Sequence, residues 1–176
     1  RVFLMRSVKG FTLIELMVTI AVAAILVSLA IPSFRNLMVS SRLNGLASDM
    51  TDVISFARSE SIKRNTTIQL CRAANDAATT CTGAAGEWTN WVVLSGANVL
   101  RRGVINTYGA TIEVTSDLSD DRVDFGGDGL ARTGGNIIAE SEIAICSTDG
   151  PTESIRNVTF GAASRVSTSK ISGVCP

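Results

Sequence analysis

Glu15 interrupts a long apolar run and is the residue on which this chain's chemistry turns. An ionised carboxylate costs roughly 2.5–3.5 kcal/mol at the centre of a membrane helix and less near its end, so such groups are usually paired and functional. The plainer reading is a glutamate near the bilayer face that snorkels or stays protonated. The other reactive side chains are four cysteines, Cys71, Cys81, Cys146 and Cys175. They show no Cys-x-x-Cys spacing and the chain contains no histidine. Zinc ligation therefore ranks well behind disulfides, and Ser-His or Cys-His catalysis is ruled out. Asp117, Asp120, Asp121, Asp124 and Asp128 lack the ordered spacing of a calcium loop and read as solvated turn residues. Gly126-Gly127-Asp128-Gly129 lacks the Gly-Lys-Ser/Thr ending of a phosphate loop and reads as a turn. With no nucleophile–base set in view, the expectation is a protein that is not an enzyme and holds no cofactor or metal.

The element carrying Glu15 is a helix that spans a membrane. Between Phe11 and Ile31, 17 of 21 positions are Ala, Val, Ile, Leu, Met or Phe. As a helix this stretch is about 31 Å long, close to the hydrocarbon thickness of a bilayer. A secretory signal peptide has a shorter apolar core and a small-residue cleavage site beyond it, which this run lacks. Arg1, Arg6 and Lys9 precede the span, so the N-terminus is expected on the cytoplasmic side. Met5 is a candidate start, which would make residues 1–4 extraneous. The whole chain of 176 residues has 16 basic and 16 acidic side chains, so its balance provides no general attraction to nucleic acid. Its mean hydropathy of +0.29 comes largely from this one segment.

Beyond Pro32, Phe34, Leu37, Met38, Leu46, Met50, Val53, Ile54 and Ala57 recur at three- and four-residue spacings with charges between them. The pattern predicts an amphipathic continuation to about Arg64 with one packing face. Residues 65–176 are rich in Thr, Val, Ile and Gly. Alternation there predicts strands near 66–72, 90–95, 98–105, 110–115, 121–125, 142–146 and 156–160. They are expected to form antiparallel sheet packed on the second half of the helix.

The string Lys9-Gly10-Phe11-Thr12-Leu13-Ile14-Glu15-Leu16, with a basic leader before it and Pro32 after the apolar run, resembles the class III signal of type IV prepilins and type II secretion pseudopilins. Ala57-Arg58-Ser59-Glu60-Ser61-Ile62-Lys63-Arg64-Asn65, then Ile68-Gln69-Leu70-Cys71, is similar to the GspH/FimT branch of that class, as are Trp88 and Trp91 before Val92-Val93-Leu94. The resemblance implies an α+β pilin-like fold. Residues 1–10 would be a leader, 11–31 the transmembrane part of the helix, 32–64 its amphipathic continuation and 65–176 a β-rich periplasmic or extracellular domain. It implies cleavage between Gly10 and Phe11 by a prepilin peptidase and N-methylation of Phe11. Glu15 would then neutralise the Phe11 amine of a neighbouring subunit and set axial register, and Pro32 would bend the helix. The implied setting is the bacterial inner membrane, crossed once with the head periplasmic, and then a pilus or pseudopilus. The implied partners are other major and minor pilins or pseudopilins and the inner-membrane assembly platform.

A head on the oxidising side of the membrane makes disulfides the default. Of three connectivities, Cys71–Cys81 and Cys146–Cys175 are favoured. The functional expectation is a minor pilin that initiates or caps a type IV pilus, with a type II secretion pseudopilin as the alternative. A weaker alternative is DNA capture through a basic tail. Some FimT relatives use a Gly-Arg-x-Arg motif for this purpose. Gly161-Ala162-Ala163-Ser164-Arg165-Val166-Ser167 keeps one arginine but has Ser167 in place of the second. Arg156, Arg165 and Lys170 are the candidate contacts, in a mature chain that leader removal leaves three charges negative.

Overall fold

The computed structural model describes residues 10–105, 112–148, 154–161 and 165–175. The expected strand start at 110 and the tail residues 162–164 lie outside the described residues. Helix α1 (Leu13–Arg64) is 52 residues long and continuous through Pro32. Its C-terminus is closed by backbone geometry that satisfies otherwise unpaired carbonyls. Asn65 N–H donates to Ile62 O and Thr66 N–H to Ser61 O, both at 3.2 Å, with Asn65 in the left-handed region at φ 49°. This is a Schellman motif with asparagine where glycine is commonest. Lys63 and Arg64 in the last turn add cations at the negative end of the helix dipole.

The chain divides into two compact units after Leu37. In the first, α1 presents its apolar residues outward: Leu13, Ile14, Leu16, Met17, Ile20 and Ile25 are all exposed.

The second unit contains the rest of α1 and ten strands among the described residues. They are β1 (Ile68–Ala73), β2 (Asn90–Ser95), β3 (Asn98–Val104), β4 (Ile112–Ser116), β5 (Arg122–Phe125), β6 (Ala131–Thr133), β7 (Asn136–Ile137), β8 (Ser141–Ser147), β9 (Ile155–Phe160) and β10 (Ser167–Ile171). They form two sheets, in the orders β3-β2-β1-β5-β6-β7 and β10-β9-β8-β4, and neighbouring strands run antiparallel throughout.

Each sheet contributes one face to a core shared with α1. Leu43, Leu46, Ala47, Met50, Val53, Ile54 and Ala57 form the helix stripe. Against it lie Leu70, Val93, Val123 and Phe125 of the first sheet and Val114, Ile143, Ile145, Val158 and Phe160 of the second. Burying a large aliphatic side chain stabilises by roughly 1.5–3 kcal/mol. Packing rather than helix propensity therefore holds this half of α1.

The other face of the first sheet carries Cys71, Ala73, Val92 and Leu94, covered by Ala78 and Cys81. Two disulfides join Cys71 to Cys81 and Cys146 to Cys175, with Cα atoms 5.6 and 5.5 Å apart. The second fastens the tail to β8, of which Cys146 is a buried residue. Gly103 pairs with Trp91 across β2 and β3. A Cβ there would lie 2.5 Å from the indole, so glycine is what lets Trp91 lie over the sheet.

Candidate assembly site

The start of α1 is built by two side chains that serve each other. Thr12 N–H and hydroxyl both donate to Glu15 Oε2, at 2.9 and 2.8 Å, and Glu15 N–H donates to Thr12 Oγ1 at 3.3 Å. This is a capping box, Thr-x-x-Glu, in which N-cap and N3 residues satisfy each other's donors. The carboxylate also sits at the positive end of the helix dipole. Reading Glu15 only as a membrane acid overlooks this local role, although the Thr12-to-Glu15 spacing is itself a helix-start signal. Phe11, Ile14, Val18 and Thr19 border a shallow hollow of 320 Å³ beside Glu15, lined mainly by apolar atoms. Phe11 is 85% exposed, and Gly10 and Phe11, between which cleavage is expected, lie ahead of the helix.

The three cations considered for DNA contact do not form one surface. Arg165 and Lys170 are exposed, but Arg156 is buried. Its Nε donates to Asn44 Oδ1 at 2.7 Å and its Nη2 to Ser40 Oγ at 3.0 Å. The expectation of an exposed cation at 156 is therefore corrected. Arg156 shares the inward face of β9 with Val158 and Phe160, and its polar head is taken up by α1. A second arginine also links helix to head: Arg58 Nη2 donates to Gly161 O, and its guanidinium lies 5.5 Å from the Phe125 ring. Burial pushes the Arg58 pKa down from its ordinary value.

Among the described residues Asp117, Asp121, Asp124 and Asp128 are each engaged by their own donors, and no acidic cluster is placed to hold a metal ion. Asp121 is buried and accepts from Arg72 Nε at 3.1 Å, Gly86 N–H at 2.6 Å and Ser116 Oγ at 2.6 Å. Asp117 accepts from Glu142 N–H at 2.9 Å, and Asp124 takes two hydrogen bonds from Arg122. Arg132 holds Asp128 the same way and keeps its carboxyl well below the usual range.

Two family models match this arrangement. Residues 5–31 match the prokaryotic N-terminal methylation motif. Residues 46–167 match the family described as type II transport protein GspH. The chain belongs to the GspH family. No curated protein matches it. Among solved structures, this GspH-family chain is similar to two crystal structures of the type IV minor pilin FimU from Pseudomonas aeruginosa strain PAO1. One, in space group P21, is 17% identical with a TM-score of 0.54, covering 74% of this chain and 90% of FimU. The other, in space group P65, is 18% identical with a TM-score of 0.51, covering 72% and 92%. At this identity the likeness concerns the fold, which is that of a minor pilin: a long N-terminal helix with an antiparallel β head.

Proposed function

We propose that this GspH-family chain is a minor pilin that helps initiate or cap a type IV pilus. A prepilin peptidase would cut between Gly10 and Phe11, and the new amine on Phe11 would be methylated. The N-terminus would face the cytoplasm and the head the periplasm of a bacterial inner membrane. On extraction by the assembly platform, the exposed apolar half of α1 would pack among the helices of other pilins. Pro32, which lacks the N–H that would serve the Ser28 carbonyl, would give the helix a bend at the membrane exit.

The observation that carries this reading is the capped, apolar helix start. The Thr12 donors hold the Glu15 carboxylate in the first turn of α1, with apolar side chains exposed around it. A cationic amine from a neighbouring Phe11 would offset the cost of that carboxylate in an apolar shaft. A buried charge left unpaired is strongly destabilising, so the pair would fix axial register. Changing Glu15 to Ala should leave cleavage intact, as read by the mass of the mature chain. It should also lower incorporation into filaments at least tenfold. Normal incorporation of Glu15→Ala would remove the proposed role.

The description of the matching family favours one second reading, a type II secretion pseudopilin with the same assembly chemistry. Deleting the chain separates the two. Loss of surface pili with protein export intact supports the pilus reading, and the reverse supports secretion.

A further inference from the structure

On the head, α1 and β3 border a groove of 220 Å³. Leu46, Met50, Val53 and Trp91, core residues exposed by 8% or less, form its apolar floor, and Val104 stands at its edge, 59% exposed. Asp49 and Asp52 flank it from one side of α1. Both are exposed, and neither makes a side-chain hydrogen bond or ion pair among the described residues. Arg101 also lines the groove, but its guanidinium lies 5.6 Å from the Phe56 ring and 5.7 Å from the Trp91 ring. Two aspartates against one arginine leave the lining net negative, with its acids unmatched. Gly45 and Ser48 on the exposed side of α1 have little bulk to obstruct an approaching chain.

The chain itself carries a segment of complementary chemistry. Phe34, Leu37 and Met38 are exposed apolar residues, and Arg35 between them is exposed with no ion pair among the described residues. We propose that the groove seats the Phe34–Met38 segment of a second copy of this chain. The apolar side chains enter against Trp91 and Val104, and Arg35 meets Asp49 and Asp52. Burial of the segment's own exposed apolar side chains drives the contact, and the charges select its register, since exposed ion pairs add little affinity by themselves. Segment and groove are different surfaces of one chain. The interface is therefore heterologous and leaves a free segment at one end and a free groove at the other. This goes beyond the assembly role proposed above and can be tested on the purified protein.

The test uses the full chain in detergent micelles, with Val104→benzoylphenylalanine as a photoreactive probe. Irradiation should give covalent dimers and longer ladders, with the linked peptide containing residues 34–38. Arg35→Glu should lower the yield at least fivefold, as should Asp49→Lys with Asp52→Lys. Mixing these two variants should restore the wild-type yield, because each segment then meets a groove of opposite sign. All three changes are at exposed positions, and unaltered thermal unfolding checks the fold. If a charge reversal disturbs it, Arg35→Gln and Asp49→Asn with Asp52→Asn provide the same comparison with a smaller drop. The proposal is overturned if dimers do not form, if the linked peptide lies elsewhere, or if mixing restores nothing. It is also overturned if, in membranes of producing cells, position 104 links to a different subunit. Any of these results with Glu15-dependent incorporation intact removes the pairing and leaves the assembly role standing.

Discussion

Helix α1 runs unbroken from Leu13 to Arg64, yet its apolar residues meet two different environments. Before Leu37 they face outward on all sides, as Ile20, Ile25 and Leu26 do. After Met38 they gather on one stripe, and Leu43, Val53, Ile54 and Ala57 have no more than 1% of their surface exposed. The backbone is the same and only the spacing of polar residues differs. A helix whose apolar residues surround its axis cannot satisfy them within its own chain and needs lipid or neighbouring helices. A helix with a single apolar stripe can be covered by its own sheets. One half thus leaves its apolar side chains uncovered, and the other is covered by the chain's own sheets.

Matched truncations would break that comparison most sharply. Ile54→Ala removes a fully buried side chain and should destabilise the head by about 2–5 kcal/mol. The same change at Ile25, 61% exposed, should leave head unfolding within about 0.5 kcal/mol of wild type. Guanidinium titration of the full chain in micelles, followed by Trp88 and Trp91 fluorescence, measures both. Equal losses would mean that the two halves share one environment.

The disulfides extend the comparison from helix to head. Replacing Cys146 and Cys175 with Ala should cost about 3.5 kcal/mol, and removing the shorter Cys71–Cys81 loop about 3 kcal/mol, by loop-closure entropy. Neither change should alter membrane extraction, which on the proposed reading depends on the first half of α1. Denaturation midpoints and carbonate extraction of the two variants test the separation.

What was legible in the sequence follows the same division between local and distant causes. Helix type and extent were local: the apolar run, the 3–4 spacing and the Lys63-Arg64-Asn65 ending are all visible in order. Ile112/Val114, Val123/Phe125 and Val158/Phe160 alternate, and they lie on β4, β5 and β9. Strands β6 and β7, of three and two residues, are too short to show a period and sit in a Gly-Gly-Asn turn sequence. Strand β10 reads Ser-Thr-Ser-Lys-Ile and is exposed throughout, because it is an edge strand with no core face to mark it. The division into two sheets depends on which strands meet across long separations, which spacing does not record.

Arg156 is the instructive miss. Its charge suggested the surface, but period 2 already placed it on the face of Val158 and Phe160. What spacing could not supply was Ser40 and Asn44, more than a hundred residues away, waiting to receive the guanidinium. Arg156→Leu should weaken the head by about 1.5–3 kcal/mol, the worth of the charge-assisted hydrogen bonds it removes, since exposed Asn44 and half-buried Ser40 can turn to water.

The smallest effect concerns the C-terminal end of the second helix half. Glu60 accepts from Arg64 and Lys63 one turn on, the orientation in which glutamate precedes its cation. Arg64's hydrogen bond is the larger cause that holds the Glu60 pKa below its ordinary value. A depressed carboxylate contributes stability that is complete above the unfolded pKa, about 4.3 for glutamate. That contribution fades as pH falls through the lowered folded value. Glu60→Gln should therefore lower head stability slightly at neutral pH and converge with wild type in strong acid. Amide exchange at Lys63, Arg64 and Asn65 in the two proteins, measured across that range, gives the most direct reading. A gap that is absent, or that does not change with pH, would mean that the helix end is held by its Schellman backbone bonds and not by charge.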